Sequence, residues 1–230
     1  RIKIIISIIT PISISSLSPI MIHKSMVPFS TTSHRGLPFL LGGGGGQACK
    51  NLADELLTRG HEIKILTARH GGLPKNQLYP GMQITRLSTF RKSPSRAGFL
   101  TMAAYIVAST LRGISVIKKW KPELMHAHFA LPAGVSAYLL NRLTGIPYII
   151  TAHLGDVPGG VPEKTDHWFR FIFPLTLPIW KSASRTVAVS KYTSSIIRKH
   201  YPVTPGIIHN GIPLVDEQES LSLNKPPGIL

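Results

Sequence analysis

Short apolar segments alternate with helical patterns along most of the chain, and this alternation constrains the fold more than any other feature. Glu62–Ala68, Met82–Ser88, Glu123–His128, Pro147–His153, Arg185–Ser190 and Gly206–Ile212 read as strands. Between them, Ala48, Leu52, Leu56 and Leu57 recur at helical spacing up to a stop at Gly60. Phe99–Trp120, Pro132–Gly145 and Lys191–Tyr201 read as further helices, and Trp168–Ser182 as one interrupted by Pro174 and Pro178. Gly71–Gly81 is turn-rich and reads as a loop. The runs YIIT and TVAV lack polar alternation, as strands covered on both faces do. The expected class is therefore α/β, a Rossmann-like parallel sheet with helices on both faces.

Length and charge narrow the partners. A chain of 230 residues makes one large α/β domain or two small ones. The single Cys49 excludes an internal disulfide and fits a reducing compartment. The net charge of +16 implies an anionic partner: nucleic acid, a phosphorylated molecule or an acidic membrane. Between Arg59 and Lys121 the chain is rich in Lys and Arg, and Glu62 is the only acid. That stretch is either a solvated surface or one that faces an anion. Residues 1–36 show no clear periodicity beyond an apolar, proline-broken start, and read as an unassigned extension or a misread start. Residues 37–213 form the domain, and 214–230 a polar tail.

In open parallel sheets ligands sit beyond the carboxyl ends of the strands, so those ends hold the candidate site. Gly42–Gly46 read as a loop that opens a helix, either a phosphate cradle or a flexible connector. The run matches neither a P-loop nor a complete GxGxxG. His126 and His128 close a strand on the same side; polar residues at the mouth of a cleft explain them better than a metal pair. His153 and Asp156 form a His–Asp pair suited to proton handling or to holding a sugar hydroxyl; a capping His followed by an Asx-turn is the alternative. Ser190 opens a helix as an N-cap, and Asn210-Gly211 signals a turn.

Five segments in order, GGGGGQACKNLADELLTRGHEIKILTA, HAHFALPAG, TGIPYIITAHLGDVPGG, ASRTVAVSKYTSSIIRKHY and IIHNGI, resemble the N-terminal domain of family-4 glycosyltransferases. The resemblance runs from Gly42 to Ile212. It implies the N-terminal, acceptor-side half of a GT-B fold, facing a donor-binding domain across a cleft. It implies that Gly44, Gly45 and Gly46 face the donor diphosphate, that His153 and Asp156 are the catalytic pair, and that Asn210 and Gly211 form the interdomain turn; His126, His128, Ser190 and Asn210 are the candidate acceptor or cleft residues. Leu154 stands where the family usually has Gly, His209 where Pro is common and Pro213 where Asp is usual. The family's first strand is not recognisable before Gly42, except as KIIISII followed by a long insertion.

The implied activity is retaining transfer of a sugar from a nucleotide-sugar to a saccharide or lipid-linked acceptor, with no tightly bound cofactor and no metal. The chain ends shortly after HNGI, where the family crosses to its donor domain, so the fragment is expected to be inactive by itself. The implied location is cytoplasmic; RKSPSR and the helix end at Lys118, Lys119, Trp120 and Lys121 read either as a peripheral contact at the inner face of the plasma membrane or as a core-facing helix with an ordinary charged end. No nucleic acid partner is expected. The competing readings are a nucleotide-sugar epimerase and a non-catalytic basic module that binds membrane or nucleic acid.

Overall fold

A computed structural model describes residues 1–8, 43–70, 72–90, 98–160 and 176–211, with Gly43 and Asp156 described in the backbone only. Strand β1 (Lys3–Ile8) lies inside an eight-stranded sheet ordered β3-β4-β2-β1-β5-β6-β7-β8. Its partners are β2 (Glu62–Ala68) and β5 (Leu124–His128), both parallel, with Ile6 opposite Ile65 and His126. Ile4, Ile6 and Ile8 join the core on one face, Ile5 the core on the other. Each such isoleucine contributes about 2 kcal/mol through burial. This corrects the reading of residues 1–36 as an unassigned extension: residues 3–8 are the missing first strand. Residues 9–36, the RKSPSR segment and the tail 214–230 lie outside the described residues.

The sheet continues through β4 (Met82–Leu87), parallel to β2, and through β6 (Tyr148–Ala152), β7 (Arg185–Ala188) and β8 (Gly206–Ile207), which run parallel to β5 and to one another. The expected α/β, Rossmann-like architecture is what the chain adopts. Only β3 (Asn76–Tyr79) runs antiparallel, at the edge, inside the segment expected to be loop. Its role is visible at Arg86, a β4 side chain with almost no exposure. The guanidinium donates to Pro74 O at 3.0 Å and to Gln77 Oε1 at 2.8 Å. Arg86 therefore leaves the basic surface that the sequence suggested.

Helix α1 (Gly43–Thr58) covers the face bearing Ile4, Ile6 and Ile8, burying Cys49 and Ala53. Helices α2 (Phe99–Trp120), α3 (Val135–Thr144), α4 (residues 176–182) and α5 (Lys191–His200) contribute to the core on the opposite face. There the Tyr105 hydroxyl donates to Leu66 O at 3.0 Å and lies 2.9 Å from Ser7 Oγ, tying α2 to β2 and β1. Helices α2 and α3 approach closely at Gly113, where a Cβ would lie 2.5 Å from Leu140 Cδ1, and at the 2.6 Å contact of Ser109 with Ser136. Trp120 ends α2 with Lys64 Nζ 5.0 Å from its ring, an internal contact of the kind that the core-facing reading of this helix expects.

Candidate active site

The glycine run is not a loop. Gly43–Gly46 are the first turn of α1. Glycine is a poor helix former, at a cost of about 1 kcal/mol per residue in a helix interior. Here the turn is held by the packing of Cys49 and Ala53 further along the same helix. The first four amides of a helix have no acceptor within it and carry the positive end of its dipole. A turn made of glycine presents them with no side chains in the way.

The structure brings that turn to His153. A Cβ built on Gly45 would lie 3.7 Å from His153 Cε1 and only 2.5 Å from Phe129 Cζ. At Gly44 it would meet nothing within 4 Å. Phe129 sits just past the end of β5 and stacks on His153, with ring centroids 4.4 Å apart and planes at 27°. Its φ of 75° is costly for an aromatic residue, and the surrounding bonds hold it there. Phe129 N donates to Thr151 O at 3.0 Å and its carbonyl accepts from Gly134 N at 3.1 Å. Phe129 thus forms a wedge between the glycine turn and the imidazole.

Three imidazoles stand together behind this wedge. His126 and His128 point to the α1 side of the sheet, as their spacing suggested, and stack at 4.6 Å. His126 Nε2 lies 2.8 Å from Thr151 Oγ1, and His128 Nδ1 lies 3.5 Å from His153 Nε2. Burial lowers the pKa of His126 to about 4, with His153 adding to the shift, and that of His153 to about 4. Burial, then His126 and His153, hold His128 well below the ordinary value. All three are neutral near pH 7. His128 Nε2 is buried without a hydrogen-bond partner. A bare ring nitrogen is cheaper to bury than an unpaired N–H. This favours the proton on His128 Nδ1, donated to His153 Nε2, with the His153 proton on Nδ1.

Beside the imidazoles a cavity of about 330 Å³ opens between α1 and the sheet. His126, His128 and Asn210 line it, with Asn51 and Glu55 from α1. Asn51 Nδ2 donates to Gly211 O at 2.8 Å, tying the exit of β8 to α1. Among the described residues no group of three or more His, Cys, Asp or Glu is placed to hold a metal ion.

Ser190 is the N-cap of α5: its Oγ accepts from Thr193 N at 3.0 Å and lies 2.9 Å from Thr193 Oγ1. The cap is the one that the sequence predicted for Ser190. Asp156 closes a 3₁₀ turn, Leu154–Asp156, and its side chain lies outside the described residues. Sequence reasoning missed Phe129, Thr151 and Asn51. Phe129 lay within HAHFALPAG, but nothing local signals its positive φ.

The sequence profile of Glycosyltransferase Family 4 matches residues 42–215. The chain is similar to the 2-deoxystreptamine N-acetyl-D-glucosaminyltransferase of Streptomyces fradiae, 31% identical over 170 residues, which cover 68% of this chain and 39% of that enzyme. It is 28% identical over 124 residues to the N-acetyl-alpha-D-glucosaminyl L-malate synthase of Bacillus anthracis, covering 50% of this chain and 29% of that one. Among solved structures, the sucrose-phosphate synthase of Thermosynechococcus elongatus shares the fold, with a TM-score of 0.61 at 16% identity over 90% of this chain and 47% of its own. The chain spans about two fifths or less of the curated relatives it matches. The profile match covers well over half of the chain and contains the glycine turn, the imidazole cluster and the cavity, so the chain belongs to glycosyltransferase family 4.

Proposed function

We propose that this chain is the acceptor-side half of a retaining glycosyltransferase, which moves a sugar from a nucleotide-sugar to a saccharide or lipid-linked acceptor. The single observation that carries the reading is the approach of the Gly45 turn to His153, with only hydrogen space at Gly45. In the reaction the bond from the sugar's anomeric carbon to the diphosphate oxygen breaks. The acceptor oxygen bonds to that carbon on the same face, and its proton passes to the departing diphosphate. Negative charge grows on the diphosphate as the bond breaks, and amides at a helix N-terminus stabilise such charge without reorganising.

His153, neutral near pH 7, serves as a hydrogen-bonding group that orients the sugar, not as a fixed cation. Asp156 follows on the same exit from β6. The cavity beside His126 and Asn210 is offered to the acceptor. We assign no role to a metal or a resident cofactor. We place the reaction at the cytoplasmic face of a membrane, and we infer that residues 1–230 alone do not turn over because the donor is held by a second domain.

The test is sugar transfer from a panel of UDP- and GDP-sugars by the full-length polypeptide that carries these residues. The reading expects turnover that His153→Ala reduces at least about a hundredfold in kcat, the order set by losing one preorganised group. Unchanged turnover in a folded His153→Ala variant contradicts it, and so does transfer by residues 1–230 alone.

A further inference from the structure

Three cations meet at the end of the sheet opposite to the glycine turn. Lys3 and Lys64 stand at the starts of β1 and β2, on the same face as Ile5 and Leu66, the face that α2 covers. Arg112, Val116 and Trp120 follow one another at four-residue spacing on α2, and Val116 is buried against the core. The Trp120 ring gathers both ammonium groups, with Lys64 Nζ 5.0 Å and Lys3 Nζ 6.0 Å from its centroid. Burial, then Arg112, push the Lys64 pKa down; Glu62 opposes them and Lys3 adds to them.

No carboxylate balances this charge. Among the described residues none forms an ion pair with Lys3, Lys64 or Arg112. Glu62 is held by Arg1 at 3.0 Å, and Glu123 Oε1 accepts from the backbone amide of Lys3 at 3.3 Å. Arg112 Nε is buried with no hydrogen-bond partner. The negative end of the α2 dipole acts on cations within the last turn, so it reaches the two lysines beside Trp120. Arg112 lies two turns back, roughly 12 Å along the axis. Helix dipole and ring thus account for the lysines, and neither supplies an acceptor for the guanidinium. A buried unpaired N–H on a cation is costly, and an anion bound there removes the cost.

The donors select the anion. Each ammonium presents three N–H groups and the guanidinium five in a fixed fork, more than one carboxylate accepts and a match for the oxygens of a phosphate group. Lys3, Lys64, Arg112 and Trp120 are all only partly exposed. The cluster is therefore recessed between α2 and the sheet, and offers no broad surface to a nucleic acid or a membrane. We propose that Lys3, Lys64 and Arg112 bind a small phosphate-bearing anion at the amino end of the sheet, beside Trp120. Strand β1 separates this site from the catalytic edge: five rises of about 3.3 Å put roughly 16 Å between Lys3 and Ile8. The site goes beyond the transfer reaction and holds or fails independently of it.

The experiment is a titration of inorganic phosphate, and separately of glycerol 3-phosphate, into the full-length polypeptide labelled with ¹⁵N-tryptophan, with ionic strength held constant by chloride. The Trp120 indole resonance, identified by its loss in Trp120→Phe, is expected to shift saturably with a Kd of about 5 mM or below. Tighter binding of glycerol 3-phosphate assigns the site to a phosphomonoester, tighter binding of phosphate to the free ion, and either supports the proposal. Lys64→Met and Arg112→Met keep the apolar stems and should each weaken binding at least about tenfold, with the thermal transition and the affinity for UDP unchanged. A Trp120 indole that neither anion moves overturns the proposal. So does a shift that persists undiminished in the folded Arg112→Met variant, and so does a shift produced by a short single-stranded RNA but by neither small anion.

Discussion

Replacing Gly45 by Ala adds one methyl group where the structure has room only for hydrogen. The new carbon would stand 2.5 Å from Phe129 Cζ and 2.9 Å from Cε2. Carbon atoms rest about 3.5–4.0 Å apart, so one partner must retreat by roughly 1 Å. Phe129 cannot easily do so: its backbone is held at φ 75° and its other ring face lies against His153. Overpacking of this kind costs about 1–3 kcal/mol. The better helix propensity of Ala returns up to about 1 kcal/mol, leaving a net loss of up to about 2 kcal/mol. For a chain of this size that lowers Tm by several degrees.

Gly44→Ala is the internal control. Its methyl group meets nothing within 4 Å, so it should stabilise by a few tenths to about 1 kcal/mol. Thermal denaturation followed by circular dichroism reads both. The double variant Gly45→Ala/Phe129→Leu removes the ring atoms in conflict and should recover stability relative to the sum of its single changes. In the full-length polypeptide, Gly45→Ala should also cost on the order of a hundredfold in kcat, because a shift near 1 Å at a reacting site does so. Equal Tm for the Gly44 and Gly45 variants, or no coupling in the double variant, would refute the wedge.

The imidazole cluster makes stability depend on pH. The pKa values of His126 and His153 fall from the ordinary 6.5 to about 4 on folding, so the unfolded chain binds more protons in between. Stability is therefore full above pH 6.5 and falls as pH drops toward 4, by roughly 3 kcal/mol per ring, a loss that urea titrations across that window measure and that His126→Gln should shrink. Ser190→Ala removes the α5 cap and should cost about 1 kcal/mol in the same titration at neutral pH. Cys49 is fully buried and its thiol pKa is pushed up by burial, so a thiol reagent should label it only in denaturant; prompt labelling of the native chain would contradict the packing of α1 on the sheet.

The core of the fold was legible because central parallel strands are covered on both faces and lack polar alternation, as YIIT in β6 does; TVAV in β7 reads the same way although only Ala188 of that strand is buried. The first strand was harder to place. KIIISI is as apolar as any, but more than 30 residues separate Ile8 from Gly43, whereas βα connections usually take only a few. Edge strand β3 carries no alternation of its own and follows from pairing with β4 and the demand of buried Arg86. The glycine run read as loop because propensity disfavours Gly in helices, yet the packing of α1 further along overrides that preference at the first turn.

Within the site, His126, His128 and His153 were visible as polar residues on apolar strands. The partner between them, Phe129, was not, since a positive φ is imposed by contacts distant in sequence. Ser190 kept its local reading because an N-cap is a local interaction. Trp120, a candidate for an outward contact or a core-facing end, packs its ring under Lys64.

The central claim is that the glycine turn and His153 face one diphosphate-sugar together. Its most direct test is a titration of UDP into the full-length polypeptide labelled with ¹⁵N-glycine and ¹³C-histidine. Coincident shifts of the Gly44–Gly46 amides and the His153 ring, saturating at one concentration and lost in His153→Ala for the ring alone, are expected. Saturable UDP binding that leaves both the glycine amides and the His153 ring unmoved would contradict the account.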